Sequence, residues 1–306
     1  MSDPIRTRFA PSPTGLLHLG NVRTALFSAL AARAGGGDFV LRVEDTDAAR
    51  SRPEWIEALL DDLRWLGVEW AEGPDVGGSR GPYRQSERAA IYNDHFKRLI
   101  DVGHAYACFC TPAELAASRE AQRAAGQPPR YAGTCANLSK VEIEAKRQSG
   151  VPAALRFRVP AGIELRFDDV VRGPQTFVSD AIGDFVIRRA DGTPAFFFCN
   201  ALDDALMGVT HVLRGEDHLA NTPRQMLLLE ALDLTAPRYG HLGLLVGDDG
   251  APLSKRHGSA SLHDLRERGV LPGAVLNYLA RLGHHYADDP GHADFAALAA
   301  AFDLHR

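Results

Sequence analysis

Arg8-Phe9-Ala10-Pro11-Ser12-Pro13-Thr14-Gly15-Leu16-Leu17-His18-Leu19-Gly20-Asn21 is the stretch on which the fold turns. A strand-like run over 5–10 cannot continue through Pro11, Pro13 and Gly15, because proline fixes φ and removes an N–H donor. Beyond the loop, Val22, Leu26, Ala29 and Leu30 recur at helical spacing, which predicts a helix over 18–34. The loop therefore delivers His18 and Gly20 to a helix start. Unpaired N–H groups and the positive end of the helix dipole attract phosphate there, and an imidazole can donate to a phosphate oxygen. Gly20 removes the side chain that would block a flat nucleobase. Far downstream, Leu253-Ser254-Lys255-Arg256 offers a mobile cation in Lys255, so the two segments read as halves of an ATP site. Taken alone, His-Leu-Gly is equally a helix-start histidine bonded to solvent.

Working outward, a strand over 39–43 and a helix over 52–66 complete a βαβα opening, and such alternation implies a parallel sheet with both faces covered. Gly35-Gly36-Gly37 is placed to stop the first helix, and Ser51 to cap the second ahead of Pro53. A further helix is expected over 87–102, followed by a basic insertion punctuated by Pro and Gly over 105–191. The sheet is expected to resume at 194–200 and 210–214, with a helix over 222–232 and a strand over 240–246. The tail, 259–306, reads as mainly helical, interrupted at Val270-Leu271-Pro272.

The 306 residues, 45% apolar and 24% charged, suffice for one large catalytic body with smaller additions. The N-terminus has no apolar signal region, and no apolar run is long enough to span a bilayer, so no membrane association and a cytoplasmic location are expected. Net charge is −5, unfavourable for a polyanion partner taken as a sum. Its distribution differs: between 116 and 160 eight cationic side chains face three carboxylates, an excess of five that makes this segment a candidate phosphate-binding face. An ordinary solvated helical surface would carry the same excess. Cys108, Cys110 and Cys135 are unlike a secreted disulfide framework and resemble a metal knuckle, with three soft ligands for tetrahedral Zn²⁺ and a fourth from Tyr131, Asn137 or elsewhere. The alternative is a small metal-free folded knuckle. Cys199, in an apolar run, reads as a core thiol.

Several further motifs accompany the two signatures: Arg42-Val43-Glu44-Asp45-Thr46-Asp47, Gly73-Pro74-Asp75-Val76-Gly77-Gly78, Gly81-Pro82-Tyr83-Arg84-Gln85-Ser86-Glu87-Arg88, Val212-Leu213-Arg214-Gly215-Glu216-Asp217-His218, Asn221-Thr222-Pro223-Arg224-Gln225 and Leu253-Ser254-Lys255-Arg256-His257-Gly258. In their order and spacing the chain resembles a class I aminoacyl-tRNA synthetase of the glutamyl type over nearly its whole length. The resemblance implies an α/β fold: a Rossmann-type parallel sheet with an inserted acceptor-binding domain and a C-terminal helical segment. It divides the chain into 1–104 and 194–258 as the two halves of the catalytic domain, 105–193 as the inserted acceptor-end and zinc-knuckle domain, and 259–306 as a helical stem-contact segment.

The chemistry implied is activation of glutamate by ATP, with Mg²⁺, to an acyl-adenylate and pyrophosphate, then transfer to the tRNA acceptor end by a monomeric enzyme. His18 and Lys255 would be catalytic through charge stabilisation, and His18, Gly20, Asn21, Glu216, Ser254 and Lys255 would hold ATP. Arg8, Ser12, Glu44, Phe196, Asn200 and Arg214 would hold glutamate. In that set guanidinium groups take the side-chain carboxylate and Glu44 takes the ammonium. From the residues alone, Arg214 could instead pair with Glu216 or Asp217, and Glu44 could close a strand in solvent.

Shorter glutamyl-queuosine tRNA(Asp) relatives place a Tyr four residues before the last Cys. This implies a structural zinc on Cys108, Cys110, Tyr131 and Cys135. Asn137 stands where longer relatives have His. Three further departures stand out: Asn21 replaces the second His of the first signature, Pro252 replaces a phosphate-side Lys, and Phe196 replaces a Tyr whose hydroxyl would face the amino acid. Nothing follows Arg306, so the expectation is a glutamate–tRNA ligase core that does not itself read the anticodon. The alternatives are a glutamyl-queuosine tRNA(Asp) synthetase and a non-catalytic tRNA-binding paralogue.

Overall fold

The structure is a computed structural model that describes residues 4–247, 249–250, 261–288 and 290–305. Strand β1 (Thr7–Phe9) runs into the Pro-rich loop and then helix α1 (Leu19–Ala34), as the sequence predicts. Helix α1 is buried almost all round, which suits an apolar helix at the centre of a body rather than on its surface. It ends at Gly35, and Gly36 takes a left-handed φ of 65°. Gly37 is required for a different reason: a Cβ there would overlap the Ile5 backbone, which donates to the Gly35 carbonyl.

Strand β2 (Phe39–Leu41) pairs in parallel with β1, Thr7 opposite Phe39 and Phe9 opposite Leu41. Helix α2 (Pro53–Trp65) starts with Pro53 in its first turn, but Arg52, not Ser51, occupies the cap position, with no side-chain cap bond. The Ser51 expectation is therefore corrected. The cap falls one residue later because Pro53, whose fixed φ suits the first helical position, starts the helix and leaves Arg52 as the cap. Helix α3 (Ala89–Asp101) follows.

Next come β3 (Ala105–Cys108), α4 (Pro112–Ala124), α5 (Lys140–Gln148), β4 (Ala154–Phe157), the hairpin β5 (Glu164–Asp169) and β6 (Gly173–Val178), the short α6 (Ser179–Ile182) and β7 (Phe185–Arg188). Strands β3, β4 and β7 form an antiparallel sheet in that order. Thr111 and Ser139 start α4 and α5 with reciprocal capping boxes, closed by Glu114 and Glu142. Neither helix buries a residue fully, so their cationic faces remain open to a partner.

Residues 194–200 overturn an expectation. In place of a strand, Phe196–Leu206 is helix α7. A short apolar run cannot by itself distinguish a strand from a buried helix. What decides is the sequel: Phe198 and Leu202 share one face four residues apart, and Phe198 stacks on Phe96 of α3 at 4.1 Å. Burying a side chain of this size contributes about 1.5–3 kcal/mol. On the opposite face Phe196, Asn200 and Asp204 stand in one line at i, i+4, i+8.

Strand β8 (His211–Gly215), helix α8 (Thr222–Ala231) and β9 (Arg238–Leu242) complete the sheet, β9 lying two residues earlier than expected at its start. Strands β8 and β9 are parallel, and the N–H groups of Thr210 and His211 bond to the Arg6 carbonyl beside β1. The two parallel pairs are thus neighbours across the β1–β8 seam. The tail holds α9 (Leu262–Glu267), α10 (Pro272–Ala280) and α11 (Phe295–Ala301), with α10 and α11 against α1 in the main core. The break at Val270-Leu271-Pro272 falls between α9 and α10, as read, and α11 is a third piece. Cys199 is a buried core thiol.

Candidate active site

One cavity of about 450 Å³ opens at the C-terminal ends of β1 and β8 and the N-terminal end of α1. Position follows from topology, since in open parallel α/β sheets clefts form beyond the carboxyl ends of the strands. Arg8, Ser12, His18, Gly20, Asn21, Glu44, Phe196, Asn200 and Arg214 all line it, although the sequence scatters them over two hundred positions. Ser254 and Lys255 lie outside the described residues. Glu216 does not line the cavity; its carboxylate pairs with Arg172 and accepts the Leu244 N–H at 2.8 Å.

At the α1 end, His18 is the cap residue in extended conformation, and its side chain makes no cap bond. Its Nδ1 is buried without a hydrogen-bond partner among the described residues. Among the described residues, and apart from its chain neighbours and its own helix backbone, no atom lies within 4 Å of where a Cβ on Gly20 would be, so the space beside the helix start is open to these residues. Leu244 and Leu245 line the same end, Ser261 pairs its backbone with His18, and the Leu262 N–H bonds to Leu17 O at 2.9 Å. Both described flanks of the segment carrying Leu253-Ser254-Lys255-Arg256 therefore reach this end of the cavity.

The other end is a buried polar chain. Asp204 of α7 accepts from Arg8 Nε at 3.0 Å and pairs with Arg42 Nη1 at 2.7 Å. Arg42 Nη2 donates to Glu44 Oε1 at 3.0 Å, and Asn200 Nδ2 donates to the same oxygen at 2.7 Å. Gln225 Nε2 then donates to Asn200 Oδ1, and Arg214 Nη1 to Gln225 Oε1, at 2.7 and 2.8 Å. Burial drives the Glu44 carboxyl upward, and Arg42 and Asn200 offset only part of that. Burial acts likewise on Asp204, but Arg42 and Arg8 hold it below the usual carboxylate range. A cation beside Glu44 would favour its ionised form.

Arg214 differs from Arg8, Arg42 and Arg88, which are buried against carboxylates. Its Nη2 donates to Thr222 Oγ1 at 2.8 Å and its Nε to His241 Nε2 at 3.0 Å, and its guanidinium lies 5.1 Å from the Tyr239 ring centroid. Neither Glu216 nor Asp217 pairs with it, and among the described residues no carboxylate forms an ion pair with it. Burial, with the neighbouring Arg8 charge, lowers it to about 10. A buried cation with neutral partners on one side and a cavity on the other is a site for an anion.

Three participants escape a reading of the sequence: Asp204, Gln225 and His241. Helical spacing of Asp204 from Asn200 and Phe196 is the signal for the first, available once 196–206 is read as helix. Phe196 faces His218 with ring centroids 5.5 Å apart, and no hydroxyl stands at its tip. Burial lowers the His218 imidazole below its ordinary value.

A second candidate site lies in the 105–193 segment. The Sγ atoms of Cys108, Cys110 and Cys135 lie within 4.8 Å of one another. The Tyr131 hydroxyl is 3.4 Å from Cys108 Sγ and 3.6 Å from Cys110 Sγ, and Cys110 and Cys135 Sγ are 3.6 Å apart. A tetrahedral zinc with Zn–S near 2.3 Å demands sulfur separations of about 3.8 Å and sulfur–oxygen separations of about 3.5 Å. The donor set fits, with Tyr131 rather than the exposed Asn137 drawn into it.

A family model described as tRNA synthetases class I (E and Q), catalytic domain, matches residues 4–303. The chain is 63% identical over 302 residues to glutamate–tRNA ligase 2 of Nitrosococcus oceani, covering 99% of this chain and 64% of that one. It is 63% identical over 300 residues to glutamate–tRNA ligase 2 of Alkalilimnicola ehrlichii, covering 97% and 63% respectively. The chain thus spans less than two thirds of the length of these curated relatives. Among solved structures, a glutamate tRNA ligase from Elizabethkingia meningosepticum in complex with its amino acid superposes with a TM-score of 0.91 at 35% identity, over 99% of this chain and 65% of that one.

Proposed function

Since this chain belongs to the class I tRNA synthetases for E and Q through their catalytic domain, we propose that its cavity activates glutamate with ATP and passes the glutamyl group to the acceptor end of a tRNA. The observation that carries this reading is the pairing, in one cavity, of the carboxylate-free buried Arg214 with Glu44 three hydrogen bonds away along the same polar chain. A ligand with an anion at one end and an ammonium at the other answers both. Arg8 and Arg214 take the side-chain carboxylate, Glu44 the ammonium, and Ser12, Asn200 and Phe196 complete the wall.

The helix start at His18, Gly20 and Asn21 takes the nucleotide, with the imidazole donating to phosphate and the open space at Gly20 receiving the base. Glu216 shapes this end by holding Leu244, and Ser254 and Lys255 add phosphate contacts from the sequence signature. The α-carboxylate oxygen of glutamate attacks the α-phosphate, an acyl–phosphate bond forms, and the bond to pyrophosphate breaks. A tRNA hydroxyl then takes the acyl group and AMP leaves. No side-chain nucleophile is needed, and catalysis is positioning plus charge stabilisation. Mg²⁺ bound with the nucleotide would supply charge neutralisation on the phosphates.

The division into 1–104, 105–193, 194–258 and 259–306 is part of this proposal, with 105–193 receiving the acceptor end on its cationic face. The reading further places a monomer in the cytoplasm. No helix among the described residues is long and apolar enough to cross a membrane. Glutamate-dependent ATP–pyrophosphate exchange, run with tRNA present and compared with aspartate and glutamine, tests the proposal. Exchange with aspartate or glutamine equal to that with glutamate would overturn it.

Zinc on Cys108, Cys110, Tyr131 and Cys135 would fasten β3 to the Tyr131–Cys135 turn and so shape the acceptor-binding segment. Metal analysis of protein purified without added zinc is expected to give about one zinc per chain, and Cys110→Ser to weaken its retention. Absence of zinc from the unaltered protein contradicts the assignment.

Phe196→Tyr is expected to supply a hydroxyl to the carboxylate end and to lower the glutamate KM, by about 1.5–3 kcal/mol where the bond is buried and charge-assisted. If the wall has repacked around the phenyl ring, the hydroxyl is stranded, the thermal midpoint drops and KM rises. A folded Tyr variant whose KM is unchanged or raised withdraws Phe196 from the amino-acid wall.

A further inference from the structure

Behind Arg214 lies a buried pair that the chemistry above leaves unused. Asp169, the last residue of β5, reaches His241 on β9, its Oδ2 2.5 Å from His241 Nδ1. Its Oδ1 accepts the backbone N–H groups of Val171, Arg172 and His241 at 3.0, 2.9 and 3.1 Å. Three backbone donors on one oxygen favour the ionised carboxylate, whose other oxygen can then only accept, so the Nδ1 proton resides on the imidazole. Nε2 of the neutral ring is then a lone pair. Two donors converge on it: Arg214 Nε at 3.0 Å and the Thr222 hydroxyl at 3.2 Å, the latter already accepting from Arg214 Nη2.

We propose that Asp169 and His241 are positioning residues for substrate: Asp169 fixes the histidine tautomer, and His241 Nε2 then anchors Arg214 Nε so that the guanidinium holds one orientation toward the cavity. This rests on Arg214 being the carboxylate-binding cation. A guanidinium fixed at Nε and at both Nη atoms by His241, Gln225 and Thr222 has lost its rotational freedom before the ligand arrives, which lowers the entropic cost of binding. The opposite tautomer, or an imidazolium, would place an N–H against the Arg214 Nε–H.

The groups facing His241 reinforce the neutral state. Burial lowers the imidazole below its ordinary value, and Arg214 and Arg172 push the same way against the Asp169 carboxylate. His218 interacts with it from the turn after β8, Thr222 bonds to it from α8, and Tyr239 stacks along its own strand at 6.4 Å. Asp169 itself stays below the usual carboxylate range: burial opposes its charge, but His241 and the backbone donors outweigh that.

Two variants separate anchoring from mere packing. Glutamine can present an oxygen where Nε2 stands, whereas asparagine can keep only the donation toward Asp169. In His241→Asn the glutamate KM is expected to rise about tenfold, the loss of one hydrogen bond to a charged group. The ATP KM should change less than about twofold. His241→Gln is expected to recover most of the glutamate KM. Equal shifts in both variants, shifts shared by glutamate and ATP, or no shift overturn the proposal.

A readout independent of turnover is the ¹⁵N spectrum of histidine-labelled protein, with the His241 signals assigned by their loss in His241→Gln. The expected result is a neutral ring protonated at Nδ1 at neutral pH. A ring protonated at Nε2, or at both nitrogens, overturns the proposal even where a variant fails to fold. Unaltered protein without glutamate-dependent exchange would remove the functional reading of the cavity, and the spectrum would then decide the pair by itself.

Discussion

Arg214→Ala is expected to abolish glutamate activation while leaving the protein folded. Its guanidinium is a buried cation of the candidate site that no carboxylate of the described residues balances, and unlike Arg23, which is spent on the Gly243 and Leu282 carbonyls, it is anchored with its charge available to a ligand. Without it, a glutamate carboxylate would enter the cavity beside Arg8 alone, whose Nε is already engaged by Asp204. An uncompensated buried charge costs about 3–5 kcal/mol. That converts to a fall of roughly 10²- to 10⁴-fold in kcat/KM for glutamate-dependent pyrophosphate exchange. Stability should move far less, because deletion also removes the desolvation cost of Arg214 and opens space for water at Gln225, Thr222 and His241. Equal losses of activity and stability would show that Arg214 is a structural cation and not a ligand site.

Asp204→Ala has the opposite signature. Asp204 is fully buried between Arg8 and Arg42, and Arg42 is itself completely inaccessible. Burial disfavours the Arg42 charge, but Asp204 and Glu44 outweigh it and keep the guanidinium firmly protonated. Removing the carboxylate leaves two guanidinium groups in a low-dielectric interior with Glu44, and Asp203 at longer range, as the carboxylates that still offset them. The expected loss is about 3–5 kcal/mol of unfolding free energy, read from the urea midpoint at unchanged m-value. The paired Asp204 also carries a pH signature. Its folded pKa lies below the unfolded one, so its stabilisation is present above the unfolded value and is lost as pH falls through the folded one. A change under about 1 kcal/mol in Asp204→Ala would mean that the pair contributes no more than an exposed one.

What the sequence made legible was local. The Pro-Gly loop and the periodicity after it placed α1 and the His18 helix start, and glycine at 35–37 placed its end. Arg8, His18, Glu44 and Arg214 converge because each sits at or just past the end of a strand or at the start of a helix of neighbouring parallel strand pairs. The run 194–200 suggests a strand because the five consecutive apolar residues Ala195–Cys199 carry no period. The face that identifies α7 as a helix emerges only with Asn200, Leu202 and Asp204 included. Illegible from the chain were the pairings at long range: Arg8 with Asp204, 196 residues apart, and Asp169 with His241, 72 apart. A buried carboxylate and a surface carboxylate look alike in a sequence. Only the fold shows which one lost its water and gained an arginine.

The central claim is that this cavity makes a glutamyl-adenylate and hands the glutamyl group to a tRNA acceptor end. The most direct test supplies radiolabelled glutamate and ATP with tRNA(Glu), tRNA(Gln) and queuosine-containing tRNA(Asp) in separate reactions, then locates the label by nuclease digestion. The account predicts label on the 3′-terminal adenosine of tRNA(Glu) or tRNA(Gln), lost in Arg214→Ala. Label on the modified base of tRNA(Asp), or on no tRNA at all, would contradict it.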